Sequence, residues 1–495
     1  MLIFFKKVIC FNSLYIVNSI GYLCKLLHIN YGKLMKQKKW LHYSALALTL
    51  HSGLSNATDD LSLQKQLHLP DWMTLTVDHR TRYEGYDNAF KKGTSGGDQA
   101  IDFRTNVFFG VKYNGFSFGS EFIDSRIAIE GHNTPVNNSL VNQTDLLQAY
   151  IGWQTQDLFN SGLSFNIQAG RQTMDVGSRR LIARNRFRNT INNFTGIDIT
   201  ISHNEWQWLN FAVLPVSRLP SDEASLRAGR TEFDKESFDQ IFAGSFFSMQ
   251  NLPLASTGEL YLYYLHEDDN AQTATKNRNL FTPGARWFKN ARTSEFDFEL
   301  EVVVQSGDSR ATSAATDQHS LNHLAYFGHA AFGYSFSAPW QPRLVLQYDY
   351  ASGDKDPNDN ANNRFETLYG ARRFEFGPTS IWGAFARANI NSPGIRLQVK
   401  PLPRVTAFIA HRAYWLAEKK DTWVGAGLRD ITGQSGSYIG QQMEMRVRWQ
   451  VIAQLLDFET GWAHLFKGEF AKNAPGSPAN KNDSDYFYCQ TSLHF

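Results

Sequence analysis

Apolar and polar residues alternate with a period of two through most of the chain. Leu75, Val77, His79, Thr81 and Tyr83 fall on one side of an extended segment, and Asp78, Arg80, Arg82 and Glu84 on the other. The same beat returns in Phe103, Thr105, Val107, Phe109, Val111 and Tyr113 against Asp102, Arg104, Asn106 and Lys112. It returns again in Phe296, Phe298, Leu300, Val302 and Val304 against Glu295, Asp297, Glu299 and Glu301, and in Met443, Met445, Val447 and Trp449 against Glu444, Arg446 and Arg448. Successive side chains of a strand point to opposite faces, so each run predicts a strand with one apolar and one charged face. Asn114-Gly115 interrupts one run and predicts a tight hairpin into Phe116–Phe122, because both residues tolerate positive φ.

Alternation of this kind suits a soluble sandwich and a membrane barrel equally. Three further patterns favour the barrel. Phe487, Cys489, Thr491, Leu493 and Phe495 share one face of a last strand ending in Phe, which resembles the signal read by the barrel-assembly machinery. Tyr and Trp recur at strand ends (Tyr113, Trp153, Trp206, Trp208, Trp287, Tyr414, Trp415, Trp462), as interfacial girdles require. Connections are of two kinds. Asn114-Gly115 is short; Asp87–Gln99, Gly131–Thr144, Val216–Ser237, Asp268–Asn279 and Asp354–Asn363 are long and polar. Short periplasmic turns and long external loops are the expected asymmetry of an outer-membrane barrel. After Ala57 no apolar run reaches the roughly 18 residues that a membrane helix needs. The prediction is an all-β fold: a transmembrane antiparallel β-barrel of about 18 strands, a single domain over residues 72–495. Ile381–Ile390, bounded by Pro378 and Pro393, reads either as one more strand or as a segment folded at the pore.

The N-terminal region has a different pattern. Residues 1–34 are apolar, with lysines and no acid; Met35 is followed by Lys36, Lys38 and Lys39, an apolar stretch from Trp40 to Leu50, and Ser55-Asn56-Ala57. A basic start, a short apolar run and small residues at a cleavage site make a secretory signal peptide over 35–57. Residues 1–34 are then expected to be an upstream extension from a misplaced start, and 58–71 a periplasmic lead-in. The rival reading is a membrane segment in Val8–Cys24, which Asn12, Ser13, Asn18 and Ser19 interrupt.

Charge sharpens the picture once that leader is set aside. The chain holds 49 Lys and Arg against 47 Asp and Glu. Residues 1–57 carry seven lysines and no acid, so the remainder has 42 against 47, a net of −5. Nucleic-acid binding gains no support from that balance. Within it, Gly170–Gly196 gathers Arg171, Arg179, Arg180, Arg184, Arg186 and Arg188 against the single acid Asp175. Guanidinium groups are always charged and fork toward carboxylates, which suits the lining of an anion path. A solvated external loop touching lipopolysaccharide phosphates is the plainer alternative. Leu181, Ile182, Phe187 and Ile191, interleaved with the arginines, favour a segment packed inward. Cys489 is the one cysteine after the leader, so neither an internal disulfide nor a cysteine metal site is expected.

Several blocks together resemble the alginate export family of outer-membrane proteins. They are Asp78–Glu84 (DHRTRYE), Leu146–Trp153 (LLQAYIGW), Ala169–Gly196, Asp297–Gly307 (DFELEVVVQSG), Tyr348–Asp359 (YDYASGDKDPND), Tyr414–Trp423 (YWLAEKKDTW) and Gly461–Phe470 (GWAHLFKGEF). The resemblance implies an 18-stranded barrel with an electropositive constriction that passes an acidic polysaccharide. It implies a substrate path along Arg80, Arg82, Arg171, Arg179, Arg180, Arg184, Arg186 and Arg188, with Asp78, Glu84, Glu299 and Glu301 as charge partners. Arg104, on the charged face beside them, joins that set.

Other motifs are weaker. Asp354, Asp356 and Asn358 are spaced like a calcium loop, but Asp359 and Phe365 stand where the glycine and the bidentate glutamate belong. Gly93-Thr94-Ser95-Gly96-Gly97 matches a nucleophile elbow in letters only, with no helix to follow. No cofactor is expected, and the chain is not expected to be an enzyme. The sequence therefore predicts a channel in the outer membrane of a Gram-negative bacterium for alginate-like anionic carbohydrate, in contact with outer-membrane lipid and lipopolysaccharide. A porin for uptake of small organic anions is the alternative; a barrel enzyme or a closed structural barrel stands further off.

Overall fold

The computed structural model describes residues 62–134, 136–269 and 274–495; the signal-peptide and upstream-extension expectations lie outside them. A short helix at Leu63–Gln66 leads into the barrel. Its first strands are β1 (Met73–Tyr86), β2 (Asp98–Tyr113), β3 (Phe116–Ala128), β4 (Asn142–Thr155), β5 (Ser164–Gln172) and β6 (Phe194–His203). Next come β7 (Trp206–Ser217), β8 (Gln240–Leu252), β9 (Ser256–Glu267), β10 (Asn279–Lys289), β11 (Phe296–Ser309) and β12 (Leu321–Ser335). The circuit ends with β13 (Arg343–Ala351), β14 (Ile390–Leu402), β15 (Val405–Trp415), β16 (Tyr438–Ile452), β17 (Leu456–Lys467) and β18 (Ser484–His494).

Each strand pairs antiparallel with the next, and β18 returns to β1 from Asp78 opposite His494 to Tyr86 opposite Tyr486. An 18-stranded antiparallel barrel results, with no open edge in the ring. The predicted hairpin forms: Tyr113 faces Phe116, and Asn114 and Gly115 both take positive φ. All connections at that end are short, the longest being 156–163, and those at the opposite end run through 173–193, 218–239, 352–389 and 416–437. No helix among the described residues is long and apolar enough to cross a membrane; the strands do the crossing.

The two faces invert the order of a soluble protein. Phe116, Ile151 and Val302 on the outer wall are 65%, 65% and 61% exposed, whereas Arg82, Glu84 and Asp102 on the inner wall are fully buried. Lipid covers the first set, and the second must be satisfied inside. The apolar core belongs to the loops. Trp382 and Phe385 from 352–389, Phe90 from the β1–β2 loop and Trp423 from 416–437 pack inside the ring against Tyr414 and Tyr486. The indole of Trp423 donates to the Ala384 carbonyl at 2.7 Å. Ile381–Asn389 is therefore not a strand but a segment buried within the ring, and only Ile390 enters β14.

Candidate functional site

Inward folding brings two segments together across the lumen. Residues 173–193 and 364–389 meet at a bridge between Ile182 and Tyr369, extended by hydrogen bonds from Tyr369 N–H to Leu181 O and from Ala371 N–H to Arg179 O. Together they form a plug, and the sequence-predicted arginines anchor most of it.

The wall arginines grip the plug backbone. Arg80 donates to the carbonyls of Arg186 and Phe187, both at 2.9 Å, and to Asn189 Oδ1 at 2.7 Å. Arg82 donates to Phe187 O at 2.6 Å, lies over the Phe187 ring at 4.2 Å, and is neutralised by Glu84 at 2.7 Å and by Asp102. Arg104 donates to Arg188 O at 3.0 Å. Asn189 completes this anchor through Leu140 O at 2.7 Å and Arg126 O at 3.0 Å.

The other end of the segment is fixed to the far wall. Arg180 meets Glu299, Glu301 and Glu375, each at 2.5 Å. Burial alone would lower its pKa, but Glu375, Glu299 and Glu301 outweigh that and hold it well above the usual arginine value. Arg387 shares Glu375 and donates to Arg180 O at 2.9 Å; Arg286 shares Glu299 and adds Glu259. Three guanidinium groups face four carboxylates in this knot, so it offers no excess of positive charge to a passing anion.

Arg184 pairs with Glu121 at 2.6 Å, Arg186 with Asp175 at 3.0 Å and Arg171 with Glu236 at 2.5 Å. Arg179 lies over the Phe374 ring at 5.5 Å. Of the expected charge partners, Glu84, Glu299 and Glu301 do face arginines. Asp78 bonds His494, its register partner across the barrel closure, and also attracts Arg104 without an ion pair between them. Asp354 lies 3.7 Å from Arg429 and accepts no shared centre with Asp356, which instead accepts the Asn358 N–H at 3.1 Å in its own turn. Among the described residues, His329, Asp349 and Glu375 are close enough to share a metal ion. Their carboxylates already serve Arg412, Arg387 and Arg180, which disfavours a cation there.

A further electropositive group is a trio that sequence reasoning met only in part. Arg188 bonds Thr190 O and Asn192 Oδ1; Arg218 bonds Asn138 O at 2.8 Å and Asn192 Oδ1 at 3.1 Å. None of Arg188, Arg218 and Arg372 forms an ion pair with an acid among the described residues. Burial, then repulsion from Arg218 and Arg372, pulls the Arg188 guanidinium well below its ordinary value. Burial and Arg387 push Arg372 down to about 10. Lys91, lowered to about 8 by burial and by Arg372, adds a fourth cation beside them. Arg218 and Arg372 lie far apart in sequence, in runs with no periodicity, so no local signal joins them to Arg188.

One acid flanks this region. Asp234, buried in 218–239 beside Asp145, accepts the Leu219 N–H and the Asn142 amide, yet burial and Asp145 raise its pKa to about 6. The unfolded value is roughly 3.9. A raised acid favours the folded loop in its protonated form, so that stability is complete below the unfolded value and lost as pH rises through the folded one. Hydrogen exchange in 218–239, taken relative to the intrinsic rate of unprotected amides at each pH, is expected to be slowest below about pH 4 and to accelerate up to about pH 6. Asp234→Asn should flatten that profile; an unchanged profile would show that Asp234 does not control the loop.

Sequence comparison matches residues 71–484 to the alginate export family. No curated protein matches the chain by sequence. Solved structures with the same fold include OpdK of Pseudomonas aeruginosa with vanillate, at 10% identity and a TM-score of 0.55 over 86% of this chain and 98% of that one. OccK8 (OprE) of the same organism gives 11% identity and 0.53 over 86% and 98%. OccAB1 of Acinetobacter baumannii gives 12% identity and 0.51 over 86% and 97%.

Proposed function

The chain belongs to the alginate export family and is an outer-membrane β-barrel channel, and on that footing we propose that it passes anionic carbohydrate, alginate-like polymer or acidic oligosaccharide, past Arg188, Arg218 and Arg372. One observation carries this reading. Arg218 and Arg372 both lie close enough to Arg188 to repel it, and among the described residues none of the three forms an ion pair, Asp234 acting on Arg218 only from a distance. A carboxylate arriving there relieves that repulsion and accepts forked hydrogen bonds. Surrounding carbonyls keep Arg188 and Arg218 only partly free, so the site binds weakly enough for the ligand to leave.

Planar-bilayer reversal potentials test it. The native barrel is expected to prefer anions, and Arg188→Gln, Arg218→Gln and Arg372→Gln combined should bring the permeability ratio close to unity. Cation preference that the triple variant leaves unchanged would sink the proposal, and absence of any conductance would favour a closed structural barrel.

Uptake of small organic anions is the second reading. It is favoured by the bulk of the plug, where Trp382, Phe385 and Trp423 fill the lumen. Vanillate, present in one barrel of similar fold, is a small carboxylate. Liposome swelling in small carboxylates, without passage of polymer, would select that reading.

A further inference from the structure

Below the plug the inner wall contains a hollow of about 230 Å³. Ala331 on β12 and Val345 on β13 are short side chains in its lining. Phe374 and the Arg180–Glu375 pair cover it from the plug side, and Lys289, Asn290 and Ala291, at the periplasmic end of β10, lie on the other side.

Most charged groups of the hollow are already matched. Arg343 is held by Asp297, Arg286 by Glu259 and Glu299, and Lys289 by Glu295. Arg396 differs. It has no ion pair among the described residues; one nitrogen donates to Phe374 O at 2.7 Å, its plane lies over Phe408 at 4.8 Å, and its Nε is buried without a partner. His329 supplies the complement. Its Nδ1 is 2.8 Å from Asp349 Oδ1, and a carboxylate that also binds Arg412 accepts rather than donates. The other ring nitrogen, Nε2, is buried without a partner and is left for a further hydrogen bond. A guanidinium and an imidazole nitrogen thus stand unfilled at one cavity, and the Gln347 amide lines the same space.

We propose that this hollow is a seat on the periplasmic side of the plug for a small hydroxylated carboxylate, with Arg396 taking the carboxylate and His329 Nε2 sharing a hydrogen bond with a hydroxyl. The volume lies below the roughly 300–1,000 Å³ of drug-sized sites, which limits the occupant to one small acid or one sugar-acid unit. The seat rests on the reading of the lumen as an anion path, and it makes the two faces of the plug chemically different: an arginine trio on one, a guanidinium beside an imidazole on the other.

Gluconate is the probe and hexanoate, which lacks hydroxyls, the control. In planar bilayers holding the full barrel, gluconate added on the short-turn side is expected to interrupt the current, and hexanoate at the same concentration is not. Arg396→Gln should weaken the gluconate block about tenfold or more, as loss of a charge-assisted bond does. Arg396→Lys should restore part of it. Equal block from both sides, equal block by hexanoate, or full block in Arg396→Gln would overturn the seat. Should Arg396→Gln fail to fold, calorimetric titration of the native barrel with gluconate and hexanoate decides: gluconate binding alone supports the seat, and binding of neither or of both overturns it. Cation selectivity of the native barrel would instead bring down the underlying channel reading, so the two failures are distinguishable.

Discussion

Replacing Arg180 by methionine is expected to loosen the plug and raise the single-channel conductance. Arg180 is 3% exposed and serves Glu299, Glu301 and Glu375 at once. Removing one partner of a buried ion group costs about 3–5 kcal/mol, because the remaining charges stay buried without compensation. Here Glu299 keeps Arg286 and Glu375 keeps Arg387, so Glu301 is the acid left most exposed to that penalty, with Tyr261 OH and Ser178 Oγ as its remaining donors. Such a cost exceeds what one bridge and a few backbone hydrogen bonds between the inward segments can absorb. The pore should conduct more, with added noise and a weaker anion preference, and 173–193 should become open to protease. Adding Glu301→Gln should recover most of the native behaviour. Native conductance together with native protease resistance in Arg180→Met would refute the assignment of Arg180 as the anchor.

The second large effect falls on assembly. Arg82→Met leaves Glu84 and Asp102, both fully buried, facing each other without the guanidinium that separates them. It also removes the 2.6 Å bond to Phe187 O and the contact with its ring. A loss of about 3–5 kcal/mol is expected, read as a lower folded fraction in urea. The triple change Arg82→Met, Glu84→Gln and Asp102→Asn removes the charges together and should return most of that stability, since apolar replacement of a whole buried ion group is often neutral. If the triple variant were no more stable than Arg82→Met, uncompensated charge would not be the cause.

The strands were legible because each lies between lipid and a polar lumen, which writes a period of two into its sequence. Ile381–Asn389 was not, for the opposite reason. Trp382, Phe385, Arg387 and their neighbours are enclosed on all sides, so no face of the segment differs from another and no period survives. The arginine cluster was legible as a site, but not its division of labour. Arg180 finds acids 119, 121 and 195 residues away. Arg80 and Arg104, read as a substrate path, go to backbone carbonyls instead. Asp78 acts on Arg104 only from a distance; its hydrogen bond goes to His494, which the closing register supplies and no local pattern shows. Arg372 and Arg373 are adjacent, yet Arg373 pairs with Glu444 and Arg372 with no acid among the described residues.

The segment from Arg180 to Asn189 is tied at one end to Glu299 and Glu301 on β11, and at the other to Arg80, Arg82 and Arg104 on β1 and β2. It is a chord across the ring. A hoop of strands alone resists lateral pressure from the bilayer only by bending its wall, and it can flatten without losing a single interstrand bond. A hoop pinned on a chord cannot become flatter or rounder along that line unless one of the two anchors lets go. The arginine segment is thus a strut as well as a plug, and the cross-section of the pore is set by a ten-residue beam as much as by the number of strands.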